Sequence, residues 1–244
     1  MDFSNILTGD KSEEELEKEY RETLKINPGD FEAHRKMGNL FNYINRIPDA
    51  EEEYRKAIRI NQNDAESHKS LGNLLSYLNR FIEAEHEYRE AISINPGDEK
   101  VHNNLGNLLK DLDRFTEAED EYREAIRINP GYTKAKYNLG NLLNDLNRFD
   151  EAEEKYREAI SINPEYLEAH NNLGDLLYDL NRFTEAEEEY REAIRISPDD
   201  AEAHYNLGTL LYSMNRTDEA EKEYRKALKL NPDIEIGDSN GESY

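Results

Sequence analysis

The sequence NLGNLLKDLDRF, residues Asn104–Phe115, combines leucines at three- and four-residue spacing with a glycine between them. This leucine spacing puts the apolar side chains on one face of an α-helix. A glycine in a helix interior costs about 1 kcal/mol relative to alanine, so Gly106 requires a compensating interaction. Near-copies of the stretch recur every 34 residues, and each contains the glycine: Gly38, Gly72, Gly106, Gly140, Gly174 and Gly208.

The 34-residue period divides the chain into repeats with two amphipathic segments each, and position 1 of the first repeat is Phe31. In the third repeat the first segment carries Leu105 and Leu109 on its apolar face, and the second carries Ala118 and Tyr122. Asparagine or aspartate separates the segments, and both residues tolerate the left-handed backbone that ends many helices. Each repeat is therefore predicted to be a helix hairpin that buries its apolar face only by stacking on its neighbours.

The repeat resembles the tetratricopeptide repeat (TPR), with leucine–glycine at positions 7 and 8, alanine at 20 and 27, an aromatic residue at 24 and proline at 32. Met37 and Gln62 depart from this pattern, and the family's frequent tryptophan is absent. The resemblance implies an all-α fold, an α-solenoid that coils as a right-handed superhelix. It predicts six full repeats: 31–64, 65–98, 99–132, 133–166, 167–200 and 201–234.

The two ends of the array differ from the full repeats. Residues 1–30 are predicted to form an abbreviated capping repeat, since Phe3, Ile6 and Leu7 fall in the phase of a truncated first helix. The last repeat is followed only by a polar tail, residues 235–244, so part of its apolar face is expected to be uncovered. We therefore expect a monomer, or weak self-association through this uncapped C-terminal repeat.

The composition restricts the classes of partner. The chain has 55 acidic and 31 basic residues, a net charge of −24, which disfavours nucleic acids and anionic membranes. No segment has the roughly 20 apolar residues that span a bilayer, and the N-terminus lacks the pattern of a signal peptide. The absence of cysteine fits a reducing compartment. These features predict a protein or peptide partner and a cytoplasmic location.

Histidine recurs at position 4, but a metal site is not predicted. Equivalent positions of stacked repeats lie about 8–10 Å apart or more, whereas a zinc–nitrogen bond is about 2 Å. The histidines are instead expected to pack beside the preceding turn. No nucleophile–base pair or phosphate-binding glycine loop is evident, so we predict no catalytic residue, no metal and no cofactor. The histidines are His34, His68, His102, His170 and His204.

The TPR resemblance implies a concave groove lined by the first helices, and in this chain the groove positions are rich in asparagine. Asparagine is a poor helix former, yet its amide can pair with the backbone of an extended peptide. We predict that an asparagine ladder and nearby tyrosines bind such a peptide, with a purely structural role as the alternative. The ladder is Asn39, Asn73, Asn104, Asn107, Asn138, Asn141, Asn172 and Asn206, and the tyrosines are Tyr43, Tyr77, Tyr137 and Tyr178.

The groove positions are also polarised in charge, basic in the first four repeats and acidic from the fourth to the sixth. Lys69, Asn73, Asn104 and Lys134 match most of the clamp by which TPR co-chaperones hold a C-terminal carboxylate, although Asn138 replaces its last basic residue. Because the asparagines recur throughout the repeats, only the two lysines are informative. A carboxylate clamp is therefore a candidate site within the groove.

The sequence thus predicts a non-enzymatic module that binds an extended peptide or protein segment in its groove. Two alternatives remain open: a self-assembling structural scaffold, and a co-chaperone-like adaptor that recognises a C-terminal carboxylate.

Overall fold

The computed structural model describes residues 11–234. All regular secondary structure in this range is α-helical. The predicted first-helix residues Phe3, Ile6 and Leu7 and the tail 235–244 lie outside it. The helices are α1 Glu13–Ile26, α2 Phe31–Tyr43, α3 Ile47–Ile60, α4 Ala65–Tyr77, α5 Phe81–Ile94, α6 Glu99–Asp111, α7 Phe115–Ile128, α8 Thr133–Asp145, α9 Phe149–Ile162, α10 Leu167–Asp179, α11 Phe183–Ile196, α12 Ala201–Ser213 and α13 Thr217–Leu230.

The helices form two compact halves, an N-terminal half with α1–α7 and a C-terminal half with α8–α13, and the chain divides between Pro130 and Gly131. Within each half every helix packs on the next one in the chain, and the first helices of neighbouring repeats also touch. These direct contacts join α2 to α4 and α4 to α6 in one half, and α8 to α10 and α10 to α12 in the other. The predicted fold class, an all-α solenoid of stacked hairpins, is confirmed. The division into six repeats with a cap agrees with the helix ranges and stays a prediction.

The turn inside each hairpin has the backbone that its sequence predicts. Asp113 lies between α6 and α7 with φ of 58°, in the left-handed region. The next residue, Arg114, then donates its backbone N–H to the carbonyl of Leu109 at 2.9 Å, which closes the end of α6. The other hairpins have the same left-handed residue, with φ between 57° and 60°: Asn45, Asn79, Asn147, Asn181 and Asn215.

The recurring glycine makes room for the tyrosine at position 24 of its own repeat. A Cβ atom built on Gly106 would lie 2.7 Å from Cε1 and 2.8 Å from Cδ1 of Tyr122, well inside the normal contact distance. The Tyr122 side chain is 1% exposed, so its ring packs on the bare backbone of the first helix. The same contact occurs in all six repeats. Packing of this large ring is therefore the interaction that compensates for the low helix propensity of glycine.

Ion pairs on the second helices link one repeat to the next. In the N-terminal half, Glu51 accepts hydrogen bonds from Arg55 in its own helix and from Arg80 in the following repeat, both at 2.8 Å. Burial by itself would raise the pKa of the Glu51 carboxyl, but these two guanidinium groups outweigh it and lower that pKa. Glu85 repeats the arrangement with Arg89 and Arg114. These four arginines of the N-terminal half are therefore already paired with carboxylates of the protein itself.

Candidate functional site

Each half has a groove surface on its first helices, formed by α2, α4 and α6 in the N-terminal half and by α8, α10 and α12 in the C-terminal half. In each of the first four repeats, the asparagine at position 9 accepts a hydrogen bond from the buried tyrosine at position 24. Tyr88 donates its hydroxyl hydrogen to Oδ1 of Asn73 at 2.8 Å. The same bond joins Tyr54 to Asn39, Tyr122 to Asn107 and Tyr156 to Asn141, at 2.7 to 2.8 Å.

A second donor reaches the same oxygen from the next repeat. Nδ2 of Asn104 donates to Oδ1 of Asn73 at 2.8 Å, and Nδ2 of Asn172 donates to Oδ1 of Asn141, also at 2.8 Å. These bonds tie α4 to α6 and α8 to α10. The asparagine ladder therefore has a structural role inside each half, which the sequence analysis weighed only as an alternative to peptide binding.

The Nδ2 groups at position 9 remain as donors for a ligand. Among the described residues, Nδ2 of Asn73 and of Asn141 has no hydrogen-bond acceptor, while Oδ1 of each accepts two hydrogen bonds. Such an amide is fixed in orientation, because its oxygen is held on two sides. A fixed donor on a helix face can pair with the carbonyl of an extended peptide at little further entropic cost.

The predicted tyrosines differ in exposure and in partners. Tyr77 at the end of α4 is 67% exposed, and Tyr43 is 39% exposed. Tyr137 is partly buried, accepts a hydrogen bond from Nδ2 of Asn172 at 3.0 Å and packs against Tyr166 with ring centroids 5.1 Å apart. Of the four predicted tyrosines, Tyr43 and Tyr77 therefore present the most aromatic surface to a ligand.

The candidate carboxylate clamp is only partly available. Lys69 forms ion pairs with Glu66 at 2.6 Å and with Asp98 at 2.9 Å, and its side chain is 16% exposed. Burial by itself would lower the pKa of the Lys69 amine, but the two carboxylates outweigh it and raise that pKa. Asn73 and Asn104 are hydrogen-bonded to each other, and Lys134 is exposed in the C-terminal half. A ligand carboxylate would have to compete with Glu66 and Asp98, and the clamp stays a prediction.

The histidines at position 4 lie where the sequence analysis expects them. Nε2 of His102 is 3.2 Å from the carbonyl oxygen of Pro96 in the preceding turn, and Nδ1 is 2.6 Å from Glu121. Burial by itself would lower the pKa of the His102 imidazole, but the hydrogen bond and charge of Glu121 outweigh it and raise that pKa. Among residues 11–234 there is no group of three or more His, Asp or Glu side chains that could hold a metal ion.

The fourth repeat replaces this histidine–glutamate pair by a different charge arrangement. Lys136 takes the place of the histidine and pairs with Glu158. Lys155, at the position of the usual glutamate, also pairs with Glu158, at 2.6 Å. Burial by itself would raise the pKa of the Glu158 carboxyl, but the two lysines lower it to about 2. The sequence reasoning did not predict this compensation, whose signal is the paired change at positions 4 and 23 of the fourth repeat.

With the hairpins and the groove surface described, the class of protein is clear. Family models for the tetratricopeptide repeat match residues 65–98, 98–165, 137–201 and 201–234, and the chain belongs to this family. No curated protein matches the sequence. The fold and the family support a module for protein–protein interaction. No helix in the described range has the length and apolar character needed to cross a bilayer.

Solved structures of three TPR-fold proteins illustrate the similarity. YrrB, described as "a TPR protein with an unusual peptide-binding site", is 26% identical, with a TM-score of 0.60 over 74% of this chain and 93% of its own. MamA is 22% identical, with a TM-score of 0.62 over 66% of this chain and 95% of its own. PilF of Pseudomonas aeruginosa is 20% identical, with a TM-score of 0.73 over 92% and 96%. The last two similarities concern the fold alone.

Proposed function

We propose that the protein is a non-enzymatic interaction module that binds an extended peptide or protein segment along the groove surface. The observation that carries the proposal is the fixed orientation of the Asn73 and Asn141 amides, one in each half. The Oδ1 atom of each amide accepts two hydrogen bonds, which leaves its Nδ2 as an oriented donor. An extended segment presents backbone carbonyls along its length, so a fixed amide donor in each half suits its main chain. The exposed aromatic face of Tyr77 adds apolar contact area.

The family and one similar structure support the same proposal. The YrrB structure is described as having a peptide-binding site, and its similarity to this chain extends over 93% of YrrB. The groove surface of this chain also contains few of the ion pairs that cover the second helices. A polar, weakly charge-paired surface with aromatic side chains is typical of sites that recognise peptides.

Selection of random twelve-residue peptides displayed on phage, with the immobilised chain as bait, tests the proposal. Peptides that are enriched should lose affinity for a variant with Tyr77→Ala and Tyr212→Ala, both exposed on first helices at 67% and 45%. The matched control is Ile82→Ala with Ile162→Ala, which removes two exposed apolar side chains from second helices. Failure to enrich any linear peptide, or equal losses in the two variants, would contradict the proposal.

The scaffold alternative rests on the last helix. Leu228 of α13 is 38% exposed and lies one helical turn after the partly buried Tyr224, so the described part of the chain leaves apolar side chains uncovered on one face of this helix. Contiguous apolar surface often marks a contact with another chain. The net charge of −24 opposes association at low salt. Light scattering at low and high salt separates the alternatives, because a scaffold should assemble as salt rises and a monomeric binding module should not.

A further inference from the structure

A cavity in the C-terminal half separates two neighbouring first helices of the groove surface. It has a volume of about 280 Å³, and α10 and α12 form its sides while Tyr190 of α11 lies beneath. This volume is at the small end for ligand sites and suits one long side chain rather than a whole ligand. Its lining residues are Asp175, Tyr178, Asp179, Tyr190, Glu202, Tyr205, Asn206 and Thr209.

The three carboxylates of this cavity lack the ion pairs found elsewhere in the protein. The ion pairs of the C-terminal half involve other residues, and none includes Asp175, Asp179 or Glu202. On the second helices, by contrast, four glutamates each pair with two arginines: Glu51, Glu85, Glu153 and Glu187. The cavity is therefore a concave site of uncompensated negative charge.

Comparison between repeats shows which charge is missing. In the second repeat, Glu66 at position 2 pairs with Lys69 at position 5, at 2.6 Å. The first repeat has the same arrangement, with Glu32 and Arg35 at 3.3 Å. In the sixth repeat Glu202 keeps the acid, but position 5 is Tyr205, which becomes a wall of the cavity. Glu202 is therefore retained, while the basic residue that would pair with it is replaced by the ring of Tyr205. A basic side chain of a bound partner can pair with Glu202 instead.

Asp175 adds a charge that the fold does not require. It stands at position 9, where the first four repeats have asparagine, and its Oδ1 accepts the usual two hydrogen bonds, from Tyr190 at 2.7 Å and Asn206 at 3.0 Å. Asparagine would accept both bonds equally well. Burial raises the pKa of the Asp175 carboxyl to about 6, the Tyr190 hydroxyl opposes this, and the charges of Glu202 and Asp179 add to it. A cation that enters the cavity would stabilise this carboxylate further, beyond its hydrogen bonds to Tyr190 and Asn206.

Each of the two aromatic walls packs against another ring. The Tyr178 ring lies 5.7 Å from that of Phe183, and its hydroxyl is 2.9 Å from the hydroxyl of Ser213. The Tyr205 ring lies 5.9 Å from that of Tyr224. Tyrosine rings in the wall of a cavity can contact the aliphatic stem of a basic side chain and attract its charged end. A metal ion fits less well, since the described residues contain no metal-binding group of three.

We propose that this cavity is a subsite for a lysine or arginine side chain of the bound segment, so that the C-terminal half selects a basic residue. The proposal rests on the proposed function, because the cavity belongs to the groove surface. Three carboxylates would compensate the charge of the basic group, and Tyr178 and Tyr205 would cover its stem. A partner segment would then carry a basic residue in the part bound by α10 and α12.

Fluorescence anisotropy with two labelled peptides tests the subsite at about 0.15 M salt. One probe alternates glycine and lysine over ten residues, and the other has glutamine in place of lysine. The protein should bind the lysine probe and not the glutamine probe. The variant Asp175→Asn with Glu202→Gln should weaken binding of the lysine probe about ten-fold, equivalent to about 1.4 kcal/mol. Asn at 175 retains the acceptor for Tyr190 and Asn206, so this variant should fold normally by circular dichroism.

A matched variant, Asp120→Asn with Glu188→Gln, removes the same charge from exposed residues of α7 and α11. It should leave the affinity for the lysine probe unchanged. Equal weakening by both variants would assign the binding to net charge and overturn the subsite, as would failure of the lysine probe to bind. If peptides selected on phage bind the groove but are indifferent to Asp175→Asn, the subsite is wrong and the proposed function stands. If no linear peptide binds, the proposed function itself fails.

Discussion

Replacement of Gly106 by alanine tests whether the glycine is required by close packing. Helix propensity alone favours alanine by about 1 kcal/mol. The new Cβ, however, would lie 2.7 Å from Cε1 of Tyr122, and a normal contact is about 3.5–4.0 Å. The ring would therefore have to move by about 1 Å in a closely packed interior. We expect the packing loss to exceed the propensity gain.

The magnitude follows from two opposed contributions. Overpacking a core by one methyl group typically costs about 1–3 kcal/mol. Displacement of the ring also strains the hydrogen bond from the Tyr122 hydroxyl to Asn107, 2.7 Å long, and a bond of this kind contributes about 0.5–1.5 kcal/mol. After the propensity gain is subtracted, Gly106→Ala should lower the free energy of unfolding by about 1–3 kcal/mol.

Urea denaturation followed by circular dichroism measures this change, and Gly208→Ala is the matched control. A Cβ at Gly208 would lie equally close to Tyr224, 2.8 Å from Cδ1 and Cε1. Tyr224 is only partly buried and its hydroxyl bond to Thr209 is longer, at 3.3 Å, so its ring can move aside. Gly208→Ala should therefore be close to neutral. If Gly106→Ala is as stable as the wild type, or if both variants lose equally, the close-packing explanation is wrong.

Two further predictions concern the interior of the repeats. Asn73→Ala removes the acceptor of the buried Tyr88 hydroxyl, so the melting temperature should fall, with a loss of about 1 kcal/mol in the free energy of unfolding. Helix propensity alone, which is higher for alanine than for asparagine, would favour the variant. An unchanged or higher melting temperature would show that water replaces the amide. The pKa of the His102 imidazole is raised in the folded protein. Its pairing with Glu121 therefore stabilises the folded state fully below the ordinary histidine pKa of about 6.5, and this stabilisation is lost as the pH rises through the pKa of the folded state. The free energy of unfolding, measured in urea between pH 5.5 and 8.5, should fall with pH less steeply in His102→Gln than in the wild type; identical slopes would contradict this.

The fold is encoded in short-range patterns, which explains why so much of it is predictable. Helix spacing, the left-handed residue of each hairpin and the proline after each second helix depend on neighbours within a few positions. Asp113, for example, ends α6 with φ of 58° because aspartate tolerates this backbone without help from distant residues. The repeat period then requires the hairpins to stack, since no hairpin can bury its apolar face alone.

The chemistry of the groove depends instead on partners that only folding brings together. The oxygen of Asn73 is held by Tyr88, 15 residues away, and by Asn104, 31 residues away. Lys69 is compensated by Asp98, 29 residues away, so a lysine that resembles part of a clamp in sequence is an ion-pair partner in the structure. Periodicity identifies the face on which these side chains lie. Whether a given amide or amine is engaged or available depends on distances of about 3 Å between stacked helices, which the repeat pattern does not specify.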